Sequence, residues 1–440
     1  VARIVIVGGG PGGYEAALVA AQLNADVTII ERDGLGGACV LTDCVPSKTL
    51  IASSETAPFV TVDLQEINAR VKMLAHAQSI DVEQRLRREG VQIIAGSARL
   101  AGPHEVVIGD DVLQADAVVL ATGASPRQLP GLIPDGDRIL TWRDIYELTE
   151  LPAHLVVVGS GVTGAEFANG FEALGSEVTL ISSRDRVLPG EDPDAAQVLE
   201  DVFGRRGMTV LSKARATGVE RRGDGIVVTL TDGRTVLGSH CLLAVGSVPN
   251  TSGLGLEDVG VRVTDGGFVE VDRVSRTSVP GVYAAGDCTG VNMLASVAAM
   301  QGRIAMWHTL GQAVAPLRLS TVAANVFTDP EIATVGVTQA AVDAGRSDAR
   351  VIRLPLATNA RAKMQGITDG FVKLFARPST GTILGGVVVA PRASELVLPL
   401  SIGVQLGLTV DQLAHSFAVY PSLSGSITEA ARQLMEHGSN

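Results

Sequence analysis

Apolar residues in this chain come in short unbroken runs, and several of those runs end at glycine-rich turns. Arg3–Val7 is followed by Gly8-Gly9-Gly10-Pro11-Gly12-Gly13 and an alanine-rich helical stretch to about Leu23; Asp26–Ile30 then leads to Glu31. A strand that is apolar at successive positions is buried on both faces, as in a parallel sheet covered by helices. The same order recurs: Leu155–Val158, the turn Gly159-Ser160-Gly161-Val162-Thr163-Gly164, a helix to about Leu174, and the strand Glu177–Ile181. Two more short strands, Ala117–Ala121 and Val282–Ala285, end in Thr122-Gly123 and Gly286-Asp287. Polar turns at the C-terminal edge of such strands are where ligands bind in open α/β sheets. A helix is predicted from near Leu294 to about His308. From about Leu317 the pattern becomes strand-rich, with Ala323–Phe327 and Phe371–Phe375, then helices at Ser394–Leu406 and Ile427–Met435. That tail has no glycine cradle and reads as a packing or subunit-contact domain.

Each repeat places G-x-G-x-x-G between a strand and a helix. In the first, Gly8, Gly10 and Gly13 let the backbone approach a pyrophosphate at a helix N-terminus, where unpaired N–H groups attract anions. Glu31, 18 residues beyond Gly13, is placed to accept hydrogen bonds from a ribose diol. In the second, Gly159, Gly161 and Gly164 repeat the turn, but the next strand ends in Ser182-Ser183-Arg184-Asp185-Arg186. A missing carboxylate and a nearby arginine suit a 2′-phosphate, so NADPH is expected, with NADH possible. The competing reading is an exposed basic turn with no ligand. Two dinucleotide sites in one chain point to a flavin and a nicotinamide exchanging hydride.

Length and composition narrow this further. A chain of 440 residues exceeds one core, and 50 glycines with 3 % aromatics suit α/β units with tight turns. The fold expected is α/β: a flavin domain over 1–150 that resumes at 271–315, a nicotinamide domain over 151–270, and an α+β C-terminal domain over 316–440. A net charge of −12 argues against nucleic acid as a partner. Apolar runs such as Ile383–Pro391 are broken by Arg392 and Glu395 before they could span a bilayer. No signal peptide is visible ahead of the first strand, four cysteines make no disulfide framework, and a cytoplasmic protein is expected. No His/Cys cluster has zinc spacing.

Two of the four cysteines, Cys39 and Cys44, lie five positions apart within Gly36–Lys48. In a regular helix their Cα atoms would be about 8.7 Å apart. A disulfide needs roughly 7 Å or less. A bond between them therefore requires a bend, which Val45-Pro46 is expected to supply. Strained disulfides of this sort are the easily reduced ones.

These motifs, in this order, resemble the flavoprotein disulfide reductases, which include lipoamide dehydrogenase, glutathione reductase and mercuric reductase. The resemblance rests on Gly8–Gly13, Glu31, Gly36–Lys48, Ala121-Thr122-Gly123, Gly159–Gly164 and Tyr283–Asp287, and it spans the chain. One connection, between Ile51 and Asp63, is shorter than the family's usual one. The resemblance implies FAD held by Gly8, Gly10, Gly13, Glu31, Arg32, Ala98, Thr122, Gly123, Asp287 and Ala295. It implies a nicotinamide nucleotide held by Gly159, Gly161, Gly164, Ser182, Ser183, Arg184 and Gly246. Lys48 would sit near flavin N5, paired with Glu166. Cys44 would contact the flavin and Cys39 would face substrate. A homodimer built through the C-terminal domain is also implied.

The departure lies at the C-terminus. Family members acting on thiols carry a His-Pro motif with a glutamate four residues beyond the proline. Here the segment reads Val419-Tyr420-Pro421-Ser422-Leu423-Ser424-Gly425. Tyrosine, with an ordinary pKa near 10, is a poor base at neutral pH. Losing a general base typically costs about two to four powers of ten. His415, His308, Cys241 and Cys288 read as structural and do not replace it, and no C-terminal cysteine pair is present. The expected activity is transfer of electrons from NADPH through flavin to a quinone or similar small acceptor. This matches a group of actinobacterial quinone reductases that lack the dyad. A disulfide reductase using Cys39 and Cys44 is the alternative.

Overall fold

The computed structural model describes residues 1–55 and 62–435. Strand β1 (Arg3–Val7) is buried at four of its five positions, as its uninterrupted apolar run predicts. It leads through the glycine turn into α1 (Pro11–Gln22) and back to β2 (Asp26–Glu31). These belong to a five-stranded sheet whose order is Val282–Ala284, Ala117–Leu120, β1, β2 and Gln92–Ala95, all parallel. The second sheet repeats the plan with Thr209–Leu211, Glu177–Ile181, His154–Val158, His240–Leu243 and Ile139–Leu140. Its edge strand, Ile139–Leu140, precedes residue 151, where the sequence reading begins the second domain. A third, antiparallel sheet is built from Ala323–Val326, Glu331–Gly336, Ile383–Ala390, Phe371–Ala376 and Arg350–Pro355.

The segment after β2 differs from expectation in an instructive way. Helix α2 (Gly37–Leu41) ends before Thr42, and α3 (Cys44–Ser54) starts afresh, so the bend falls at Thr42-Asp43. Pro46 lies instead within the first turn of α3, where a missing N–H breaks no helical bond. Helix α4 (Leu64–Arg88) follows, capped by the Asp63 carboxylate accepting from the Glu66 N–H at 3.1 Å. The expected helix Ser394–Leu406 is split into Ala393–Leu396 and Leu398–Leu406, with Pro399 opening the second piece. The connection between Ile51 and Asp63 lies partly at 56–61, outside the described residues.

One apolar core ties the units together around the site. Leu50 of α3 and Val71 of α4 share it with Phe167 and Phe171 from the second unit and Val326, Phe371 and Phe375 from the third. Ion pairs reinforce this seam: Lys373 Nζ meets Asp192 at 2.8 Å and Asp194 at 2.6 Å, Arg205 meets Asp369 at 2.7 Å, and Arg206 pairs with Asp329. The helix Val162–Leu174 is thereby fixed against both α3 and the third sheet.

Candidate active site

Between β1 and α1 the chain turns within Gly8–Gly10. Gly8 has φ +105°, its N–H donates to the Ile30 carbonyl at 2.8 Å, and a Cβ there would collide with the Ala121 carbonyl. Gly10 is different: a Cβ would meet no protein atom within 4 Å. The chain's own packing therefore does not demand a glycine at that position. The space it leaves lies at the N-terminus of α1, where the helix dipole and free N–H groups attract an anion. Glu31 is fixed beside it, accepting from the Gly9 N–H at 2.6 Å and the Asp33 N–H at 2.7 Å. Arg32 is engaged with Asp33, while Ala98 opens the strand Ala98–Gly102 and Ala295 the helix Ala295–Thr309. The buried Thr122 hydroxyl has no hydrogen-bond partner of normal geometry, and neighbouring Gly123 has φ +69°. Burial, helped by the Asp43 charge, pushes the Asp287 carboxyl up to about 6. An anion cradle, an anchored acid, an orphaned hydroxyl and an underpaired carboxyl together fit FAD, which supplies a two-electron carrier there.

The second cradle repeats the first closely. Gly159 has φ +113°, donates to the Ile181 carbonyl at 3.0 Å, and a Cβ on it would strike the Ala244 carbonyl; one on Gly161 would again meet nothing. The strand-end serines divide in role. Ser182 is fully buried, accepting from the Ser160 hydroxyl at 2.7 Å and from the Arg184 N–H at 3.1 Å, and it donates back to the turn's carbonyls. Its hydroxyl is thus engaged in shaping the turn. Ser183 and Arg184 are exposed, and the Arg184 guanidinium has no ion pair among the described residues. Gly246 has φ +97° and lies beside Arg127.

Between the two cradles sit the sulfur and charged groups. The Cys39 and Cys44 thiols face each other within hydrogen-bonding reach across the α2–α3 break. The hydrogen bond from Cys44 lowers the Cys39 pKa, and its counterpart, with burial, raises that of Cys44. One turn along α3, Lys48 Nζ meets Glu166 Oε2 at 2.7 Å and lies 4.9 Å above the Phe327 ring. Glu166 Oε1 accepts the Phe327 N–H at 2.9 Å. One carboxylate therefore joins all three units. Burial opposes the Lys48 charge, but Glu166, aided by Cys44 and Asp43, outweighs it and leaves the lysine pKa raised.

Other sequence candidates lie elsewhere. Tyr420 is 84 % exposed, next to exposed Val419 and near exposed Phe417. His415 caps the helix Val410–Ala414 from outside, and His308 is hydrogen-bonded to the Tyr283 hydroxyl at 2.8 Å. Cys241 is fully buried, and Cys288 is held by the Leu120 and Ala285 carbonyls with burial raising its pKa to about 11. Among the described residues no His/Cys/Asp/Glu group could hold a metal. Sequence reasoning missed Asp43, Phe327 and Tyr146. Asp43 was legible as an acid between two cysteines; the other two come from distant segments and gave no local signal.

The pyridine nucleotide-disulphide oxidoreductase family matches residues 2–302, and its dimerisation domain matches 322–431. A Mycobacterium tuberculosis protein named NAD(P)H dehydrogenase (quinone) is 57 % identical over 466 aligned positions, covering 99 % of this chain and 94 % of that protein. The dihydrolipoyl dehydrogenase of Geobacillus stearothermophilus is 34 % identical, covering 97 % of this chain and 95 % of that protein. The crystal structure of LpdA from M. tuberculosis superposes with a TM-score of 0.96 at 57 % identity, over 99 % of this chain and 100 % of that one. The flavoprotein disulfide reductase RclA from Escherichia coli gives 0.90 at 25 % identity, over 98 % and 99 %. The chain belongs to the pyridine nucleotide-disulphide oxidoreductases and is an FAD-dependent, NAD(P)H-using oxidoreductase.

Proposed function

We propose that this enzyme passes electrons from NADPH, and less readily from NADH, through FAD to a quinone. The observation that carries this is an imbalance in the site. The Lys48–Glu166 pair and both cradles are in place, whereas tyrosine and glycine stand at 420 and 425, where thiol-transforming relatives carry a base and its orienting acid. A quinone takes electrons directly from reduced flavin and needs no thiol base. The relative's name, NAD(P)H dehydrogenase (quinone), supports the same acceptor class. Preference for NADPH follows from the exposed, unpaired Arg184 at the end of Glu177–Ile181. Turnover with NADPH should be brisk with a benzoquinone and slow with lipoamide; the reverse result defeats the proposal. Arg184→Glu should weaken NADPH far more than NADH, and equal loss would show that it does not read the 2′-phosphate.

A disulfide reductase remains the second reading, favoured by the facing Cys39 and Cys44 thiols. Cys39→Ser separates the two, since quinone turnover should survive it. We further infer a homodimer. Leu398, Ile402, Leu406, Phe417 and Tyr420 expose apolar surface on the domain that matches the family's dimerisation unit. Tyr420 would then face Cys39 of the partner subunit, and a monomer in light scattering would contradict this. Among the described residues no helix is long and apolar enough to cross a membrane. Cytoplasmic action, where thiols stay reduced, is part of the same proposal.

A further inference from the structure

A carboxyl group sits beside the thiol pair with no role in the site described so far. Asp43 occupies the break between α2 and α3, one residue before Cys44 and four after Cys39. Its N–H donates to the Ala38 carbonyl at 2.8 Å, and its carbonyl accepts the Ser47 N–H at 2.8 Å, so its backbone is the N-cap of α3. An aspartate there ordinarily caps the helix with its side chain. Asp43 does not: with φ −130° and ψ −94°, its carboxyl accepts no capping hydrogen bond. That carboxyl makes no ion pair or hydrogen bond among the described residues.

We propose that Asp43 is the proton-holding residue of the Cys39–Cys44 pair, taking up a proton as the pair closes to a disulfide and returning it as the pair opens. The surroundings favour this. Lys48 and Cys44 neighbour Asp43 on α3, Cys39 on α2, Glu166 on the second unit's helix, Arg143 and Tyr146 on 141–147, and Asp287 after Val282–Ala284. None of these is a histidine. Lys48 is already committed to Glu166, and Arg143 donates to the Ala124 carbonyl and the Ser125 hydroxyl. The Asp43 carboxylate is left without a dedicated counterion, and burial, only partly offset by Lys48, raises its pKa and so favours its holding a proton. The Tyr146 hydroxyl is buried near Ser47, and burial, with the charges of Asp43 and Glu166, raises its pKa and keeps it protonated. On closure two S–H bonds break and one S–S bond forms. Two electrons and one proton go to oxidised flavin, and the second proton goes to Asp43. Opening reverses this, with electrons that NADPH delivers through the flavin. This assignment stands whether the final acceptor is a quinone or a disulfide.

The test is alkylation of Cys39 in the reduced holoenzyme by iodoacetamide across roughly pH 5 to 9, read by peptide mass. Wild type should show two inflections. Asp43→Asn should show one, with alkylation near neutral pH about tenfold faster because a neighbouring negative charge is gone. Asp43→Glu should restore the second inflection. Superimposable wild-type and Asp43→Asn profiles would overturn the proposal. Infrared difference spectra of the wild type give a check that needs no variant. A protonated aspartate band should be present in the disulfide state, lost in the dithiol state, and shifted by isotopic labelling of aspartate. No such band in either state would likewise overturn the assignment.

Discussion

Replacing Glu166 by glutamine isolates what the charge at the junction of the three units does. The wild-type pair is separated by 2.7 Å, with side-chain exposures of 28 % for Lys48 and 4 % for Glu166. At an effective dielectric of about 20, that separation corresponds to about 6 kcal/mol of gross attraction, most of it offset by desolvation. Removing one partner of a buried pair typically costs about 3 to 5 kcal/mol. Water reaches part of Lys48, so about 2 to 3 kcal/mol is expected here. Glutamine keeps an acceptor for the Phe327 N–H, so the loss reports charge rather than shape. The assay is denaturant unfolding at fixed protein concentration for Glu166→Gln, Lys48→Met and the double variant. The double variant should be more stable than the summed losses predict by about 2 kcal/mol, since it leaves no charge unpaired. The sign of the pH dependence follows from the raised Lys48 pKa. The pair's stabilisation is present at neutral pH and fades as pH rises through that value. In Glu166→Gln the largest group countering burial is gone and only the weaker effects of Cys44 and Asp43 remain, so the deficit against wild type should shrink under alkaline conditions. Additive losses with a pH-independent deficit would refute the reasoning.

Two further outcomes rest on other buried charges. Asp287 carries a pKa raised from 3.8 to about 6, which in the flavin-free protein is an ionisation penalty of order 3 kcal/mol. That penalty is absent below the unfolded value and complete above the folded one, so stability falls as pH rises between them. Asp287→Asn should therefore stabilise the flavin-free protein at neutral pH and not near pH 3.8, while weakening flavin retention; an equal gain at both pH values would contradict this. Lys373 is 2 % exposed and holds Asp192 and Asp194 across the seam between the second and third units. Lys373→Met should cost about 3 to 5 kcal/mol by stranding a buried carboxylate. An unchanged thermal midpoint would exclude that.

Much of the architecture was written locally. The two strand–glycine–helix–strand units, with Gly8 and Gly159 each held at positive φ against a neighbouring carbonyl, could be placed because they are set by residues adjacent in the chain. The same holds for Lys48 one turn beyond Cys44. What escaped were elements with weaker local signals: the largely polar helix α4, and the antiparallel hairpins Ala98–Gln114 and Ala216–Gly238. The helix break was expected at Pro46 and falls at Thr42-Asp43, because a proline in the first turn costs no hydrogen bond.

By itself the sequence determined the two nucleotide cradles, the cysteine pair and the charge types around them, since each depends on spacing within one segment. Only the tertiary structure decided how they meet. Glu166 reaches Lys48 from 118 positions away and is completed by the Phe327 N–H from a third unit. Ser182 is withdrawn into its turn, leaving Arg184 exposed, and the Asp43 carboxyl makes no capping bond to the helix it begins. Those outcomes depend on burial and on partners supplied by distant segments, and local sequence carries neither.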